Sequence, residues 1–420
     1  LSEAKAKLGP AYRRKAERTR EWKLDEEFED FFDEEFVLGK VGKVKGELFW
    51  PSRDDVSVLA SLKVHANKRS LASERLVPVT EREAKVVTNM LEQIYINMAP
   101  SEMTHLTVDA FLDAVKKIDL DSSPGWPWKE TYATNRAFLI QDEQLNLVNL
   151  KELWMAVMRR FKALETTTEA DDINLFIKDE LHKRKKVDEG AWRLISSVSV
   201  TDCVIDRVLF GGFFDNLYSA EGVATTPNKA GWTHYMGGYK WLAKRHRKKQ
   251  LMADKSAWDW TVQPWLMWVI TSLMVRLCGF GDPKREAIIR NRMDSLFRRP
   301  IFNLGGWLRF YQILAGLMKS GCLGTIAWNG LGQTAMHILA GIRLDWSNAK
   351  IMATLPDTLG DDTIQPAVDD GEIDSYIKAL NEGGCLCRDH VVAQLPDKLE
   401  FAGHQFNEHE CIPSYGKKHL

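Results

Sequence analysis

Gly360-Asp361-Asp362 constrains this chain more than any other feature. The tripeptide lies between an apolar approach, Ile351 to Leu355, and Thr363-Ile364, a context that predicts a β-hairpin with two carboxylates at its turn. Adjacent acids at a tight turn repel each other and have no cationic partner nearby in sequence, which costs stability unless a cation sits between them. A Gly-Asp turn alone is ordinary turn chemistry. The fold that holds this turn must therefore bring other groups to it.

With 420 residues the chain can bury a large core shared by two or three subdomains. The net charge of −1 does not mark a nucleic-acid binder, so such a role must rest on local clustering. Residues 240–250 and 182–186 are basic, and Asp25 to Glu35 is acidic; each run by itself reads as a solvated face. Fifteen tryptophans suit core packing or stacking on bases. Cysteines 203, 278, 322, 385, 387 and 411 show no disulfide-framework spacing, and no signal peptide is seen, which points to a reducing cytosolic compartment. Cys385, Cys387, His390, His404 and Cys411 invite a zinc reading, but Cys-x-Cys is not the usual Cys-x-x-Cys spacing, and buried thiols are the plainer account. Trp265 to Val275 is uncharged yet too short for a span of about 20 residues, and fits a buried helix.

Residues 1–36 read as a charged helical arm. Helical periodicity marks 80–98, 104–118 (with Thr104 or Thr107 as cap), 142–168, 263–277, 372–383 and the segment from Gly324 to about Leu344. Asp121 to Trp128, with two prolines and a glycine, is a rigid loop. Asn174–Lys178 and Trp192–Ser197 predict two strands around a basic connection; Leu251–Ala253 and Leu399–Ala402 predict two more. Helices mixed with short separated strands predict an α+β fold rather than a doubly wound sheet.

Three further segments carry chemistry. Asp254 ends a strand and Asp259 follows at a turn toward helix; beside Asp361 and Asp362, a strand-end carboxylate would complete a hard-oxygen cluster for two Mg²⁺ ions. The plainer account is a strand terminus and a helix cap. In Ser320 to Asn329, Gly321 and Gly324 permit close backbone approach, and Thr325 and Asn329 share a helix face. Lys178, Lys183, Arg184, Lys185, Lys186 and Arg193 surround a probable hairpin able to grip a triphosphate, with Glu180 orienting an arginine; a lysine-rich surface turn would look similar.

Together these segments resemble the viral RNA-dependent RNA polymerases, and are similar to the sobemovirus and polerovirus (luteovirus-like) group. Asp254 to Gln263 resembles the group's Asp-x-Ser-Gly-Phe/Trp-Asp-Trp-Ser-Val-Gln segment, with Ala257 where relatives carry glycine. Ser320–Asn329 fits motif B, Gly360–Asp362 motif C, Lys178–Arg193 with the following Leu-Ile-Ser-Ser-Val-Ser motif F, Ser123-Pro-Gly-Trp-Pro motif G, and Glu400–His404 motif E. The matches run in family order from residue 121 to 406. The resemblance implies a right-hand α+β polymerase whose antiparallel palm sheet packs on helices. It implies fingers at 37–200, palm at 201–275, a fingers insertion at 276–315, palm again at 316–406 and the start of a short or truncated thumb at 407–420. By the same resemblance Asp254, Asp361 and Asp362 hold Mg²⁺, with Mn²⁺ as a substitute. Asp259, Asn329, Ser320 and Thr325 read the ribose, and Lys178, Lys186 and Arg193 contact the triphosphate. Ser123, Gly125, Gly321 and His404 meet template or primer. Motif D's proton-donating lysine has no clean counterpart; Arg388 and His390 are the candidates.

The implied activity is replication of a positive-strand RNA genome, with RNA template, nascent RNA and ribonucleoside triphosphates as partners. A genome-linked protein and other replication proteins are further partners, in a membrane-associated complex of the host cytoplasm reached without a membrane span of its own. The alternatives are an inactive polymerase-like RNA-binding component and a reverse transcriptase. Asp259 and Asn329 weigh against the latter, because a DNA-making site usually excludes the 2′-OH.

Overall fold

Capping side chains set where the helices begin. In the computed structural model, which describes residues 48–414, Asp54 caps α1 (Asp55–Arg75), and Thr80 forms a capping box with Glu83 on α2 (Glu81–Tyr95). Asn146 opens α3 (Leu147–Ala163) and Ser199 opens α4 (Val200–Leu217). Proline occupies the first turn of α5 (Pro264–Cys278) and α6 (Pro283–Phe297), where its missing N–H is no loss. α7 (Thr325–Arg343) is the central helix, buried from Ala327 to Gly341, and α8 (Ile373–Glu382) packs against it. The charged arm expected over 1–36 lies outside the described residues.

Two expected helices are shorter than their periodicity suggested. α3 starts at Leu147 because Ile140–Gln141 and Gln144–Leu145 pair across a turn, with Asp142 and Glu143 at φ 50° and 61°. The helix expected over 104–118 is Val108–Lys116, and its cap is Thr107, not Thr104.

The described strands of three or more residues are β1 (Ile173–Ile177), β2 (Leu194–Ser197), β3 (Gln250–Lys255), β4 (Ile301–Leu304), β5 (Leu308–Tyr311), β6 (Asp357–Leu359), β7 (Asp362–Pro366), β8 (Cys387–Ala393), β9 (Leu399–Phe401), β10 (His404–Phe406) and β11 (Cys411–Pro413). One sheet runs β2-β1-β4-β5, with β1 and β4 parallel. The central sheet runs β6-β7-β3-β8 and is antiparallel throughout, and β9-β10-β11 form a third. The apolar approach Ile351–Leu355 is not the first strand of the hairpin that turns at Gly360. Ser347 caps a short helix, Asn348–Ala353, and the strand begins only at Asp357, after Pro356.

Strand alternation divides β3 between two cores. Leu251 and Ala253 join the main core with α5 and α7. Met252, one step out of phase, joins Ile364, Leu242, Leu399, Phe401 and Phe406 in a smaller one. Both faces of the central sheet are thus covered, and its strand ends keep a fixed level. None of the described helices is long and apolar enough to cross a membrane, and Trp265–Val275 lies within α5.

A buried charge network ties α3, α4 and α6 together. Arg160 bonds Asp202 at 2.5 Å and Asp171 at 2.7 Å, while Arg292 grips Asp206 through Nε at 2.6 Å and Nη2 at 2.9 Å. Removing one member leaves a buried charge uncompensated. We expect Asp206→Ala to lower unfolding stability by about 3–5 kcal/mol, read as a shift in the denaturant midpoint.

Candidate active site

Antiparallel register decides which acids meet. Met252 pairs with Ile364, and carrying that register two residues toward the turn brings Asp362 level with Asp254. Asp389 on β8 pairs with Asp254 directly. Asp362, Asp254 and Asp389 therefore form a row across three adjacent strands, all exposed, with Asp361 beside it at the turn. Gly360 takes φ 64° at the first turn position, as a II′ hairpin requires.

The crowding is visible in proton affinity. Close packing of protein around Asp362, then the charges of Asp361 and Asp254, push its carboxyl up to about 6. Asp361 is raised for the same first reason, with Asp254 adding to it and Lys255 and Arg193 opposing. Solvent nevertheless reaches both residues. The opposite end of β6 is balanced. Buried Asp357 accepts bonds from Arg245 Nε at 2.5 Å and His246 Nε2 at 3.0 Å, and Lys229 Nζ lies 3.2 Å away. These partners hold its carboxyl below the ordinary range despite burial.

Asp259 sits on the short helix Trp258–Thr261, entered through Ala257 at φ 51°. A left-handed alanine costs roughly 1–2 kcal/mol, which the glycine of the resembled motif would avoid. Arg69 on α1 steadies this turn by donating to the carbonyls of Thr261, Val262 and Ala315. Asn329 Nδ2 donates to Asp259 Oδ1 at 2.9 Å, and Trp258 Nε1 donates to Asn329 Oδ1 at 2.9 Å. Burial first, moderated by Asn329 and reinforced by Asp361, pushes Asp259 up to about 6. Thr325 turns its hydroxyl back into its own loop, donating to Lys319 O at 2.7 Å and Cys322 O at 2.8 Å. Ser320 faces Ser196, and a Cβ at Gly321 would lie 2.8 Å from Ser196 O and Ser197 Cα.

Lys178 and Arg193 both bind Glu180, at 2.8 and 3.1 Å. Partial burial would raise Glu180, but these two cations hold it down at about 2. The charge of Arg193, which precedes β2, is felt at Asp259 and Asp361. Lys186 is exposed on the short helix Arg184–Asp188. Ser123 and Gly125 lie in a loop packed on the start of α4, where Gly125 at φ 68° leaves no room for a Cβ against Ser199. His404 on β10 stacks on His234 with ring centroids 3.9 Å apart. His390 pairs opposite Ala253, one step out of phase with Asp389, and the side chain of Arg388 lies outside those described.

Sequence reasoning missed Asp389, Arg69, Lys255 and Ser196. The only local signal for Asp389 was a strand after Gly384, which the sequence reading did not find. Among the described residues, all six cysteines are free, and no three His, Cys, Asp or Glu side chains form a ready metal cage.

A family model described as viral RNA-dependent RNA polymerase matches residues 58–317. The chain is 29% identical to replicase polyprotein P2AB of Southern bean mosaic virus, over 70% of this chain and 30% of that protein. It is also 29% identical to replicase polyprotein P2AB of Cocksfoot mottle virus, over 82% and 36% respectively. Protein P1-P2 of Potato leafroll virus is 24% identical, over 75% and 32%. The chain spans about a third of the length of these relatives.

The close backbone approach at Gly321 gives a direct test of the loop geometry. Gly321→Ala should destabilise the protein by about 1–3 kcal/mol, because the added methyl meets backbone that cannot swing aside. Thermal and denaturant midpoints measure it.

Proposed function

This chain belongs to the viral RNA-dependent RNA polymerase family, and on that premise we propose that it performs template-directed RNA synthesis in replication of a positive-strand RNA genome. The observation that carries the reading is the acidic row formed across the central sheet, together with the Asp259–Asn329 pair and within reach of the Arg193 charge. By resemblance to the family, residues 37–200 and 276–315 are assigned to fingers, 201–275 and 316–406 to palm, and 407–420 to the start of a thumb.

Asp254, Asp361 and Asp362 offer the hard oxygen donors that suit Mg²⁺ or Mn²⁺, and the charges of Asp361 and Asp254, which act on Asp362 after the larger effect of burial, support a cation at that place. Bound divalent ions would supply activation of the primer 3′-OH and charge neutralisation at the transferred phosphate. Asp389 adds a fourth carboxylate to that field.

The rest is positioning by the chain itself. Lys178 and Arg193, held at fixed spacing by Glu180, grip the triphosphate with Lys186 at the outer edge. Asp259 and Asn329 present a carboxylate oxygen and an amide to the ribose 2′-OH, which favours ribonucleotides over the deoxynucleotides of a reverse transcriptase. Ser320 and Thr325 hold the shape of the adjoining loop. Ser123 and Gly125 line the template path, and Gly321 and His404 meet template and primer. RNA template, nascent RNA and ribonucleoside triphosphates are the partners; a genome-linked protein and other viral replication proteins would recruit the chain to a membrane-associated complex in host cytoplasm.

Asp361→Asn and Asp254→Asn should each lower nucleotide incorporation on an RNA template by about 10³-fold, since a misplaced cation costs several kcal/mol at the transition state. Undiminished synthesis by either variant overturns the reading. Glu180→Gln should raise the KM for nucleotide about 3- to 10-fold with little change in kcat, because it releases two cations from one geometry; steady-state kinetics separates the two constants.

A further inference from the structure

Ser196 is buried in β2, three residues beyond Arg193. A hydroxyl in such a place is costly unless it is bonded, and both of its bonds go to one residue. Ser320 N donates to Ser196 Oγ at 3.0 Å, and the two hydroxyls stand 3.4 Å apart. The exchange is reciprocal, since Ser196 N donates to Ser320 Oγ at 3.1 Å. Gly321 N then donates to Ser196 O at 3.1 Å, and Gly321 forms a parallel bridge with Ser197.

The same loop is fastened on its other side to the turn that carries Asp259. Met318 N donates to Asp259 O at 2.7 Å, and Leu317 N donates to Val262 O at 3.1 Å. Buried Lys319 stiffens the piece between, with Nζ bonded to Gln312 Oε1 at 2.8 Å and Leu317 O at 2.6 Å. Residues 317–321 are therefore a strap. One end is clasped to β2, the strand that follows Arg193, whose carbonyl also accepts from Lys178 N at 2.8 Å, and the other end is bonded to the backbone of Asp259.

We propose that Ser196 is a positioning residue for ribose selection, acting through its clasp with Ser320 to set the distance between the triphosphate grip and the Asp259–Asn329 pair. The inference rests on the polymerase reading above. Loss of the Ser196 hydroxyl strips Ser320 N of its partner and lets the strap drift at Met318, which moves Asp259. Asp254, Asp361 and Asp362 stand on other backbone and are not bonded to the strap, so the effect falls on discrimination between sugars.

The test compares kcat/KM for GTP and 2′-deoxy-GTP opposite a template cytosine, together with amide hydrogen exchange at Met318, Ser320 and Gly321. Ser196→Ala should lower the ribo-to-deoxy ratio about 3- to 10-fold, the worth of one well-placed hydrogen bond. Ser320→Ala should act in the same direction, and the double variant should be no worse than either single one, as expected of partners in one contact. Ser196→Thr keeps the hydroxyl and should restore the ratio. An equal fall for both nucleotides in Ser196→Ala, or a threonine variant as poor as alanine, overturns the proposal. Wild-type protein that incorporates neither nucleotide sinks the polymerase reading instead. Exchange then decides the clasp alone: faster exchange at Met318 in Ser196→Ala upholds it, and unchanged exchange overturns it.

Discussion

Like charges on neighbouring strands repel, and the central sheet sets Asp362, Asp254 and Asp389 at one level, with Asp361 beside them. Much of the surrounding structure can be understood as what makes that crowding tolerable. The sheet cannot splay to relieve it, because Leu251 and Ala253 are packed on one face and Met252 and Ile364 on the other. Lys255 and Arg193 supply opposing charge without covering the row. At Asp362, close packing first and the neighbouring acids second hold the carboxyl near 6.

Around this row the fold uses backbone more than side-chain contacts for its precision. Arg69 collects three carbonyls from two segments, and Gly321 admits a strand at a distance that no Cβ would allow. The buried Arg160–Asp202 and Arg292–Asp206 pairs join α3, α4 and α6, while α7 serves both core and site, since it is buried along most of its length and carries Thr325 and Asn329.

The sequence revealed what local signals encode. The hairpin turn was legible because Gly360 must take a positive φ, and Asp254 because it closes an apolar strand. Ordered motifs identified the family, and the family model agrees. Features that depend on pairing between distant segments were not legible. The approach Ile351–Leu355 looked like a strand because it is apolar, yet Ser347 and Pro356 give it to a helix. Asp389 was missed because β8 carries no strong alternation of its own and gains its place only by register with β3. The serine clasp joins residues 124 positions apart, and two serines in a sequence give no hint of a partner.

The acidic hairpin is anchored like a cantilever. Its root, Asp357, is locked by Arg245, His246 and Lys229, while its tip carries Gly360 and the two exposed acids. Shape is fixed at one end and chemistry is displayed at the other, so the two can change independently over evolutionary time. A descendant that replaced the acids at the tip would shed electrostatic strain and keep its outline. Loss of chemistry would then leave no visible scar on the fold, and an intact outline is by itself no guarantee of a working polymerase.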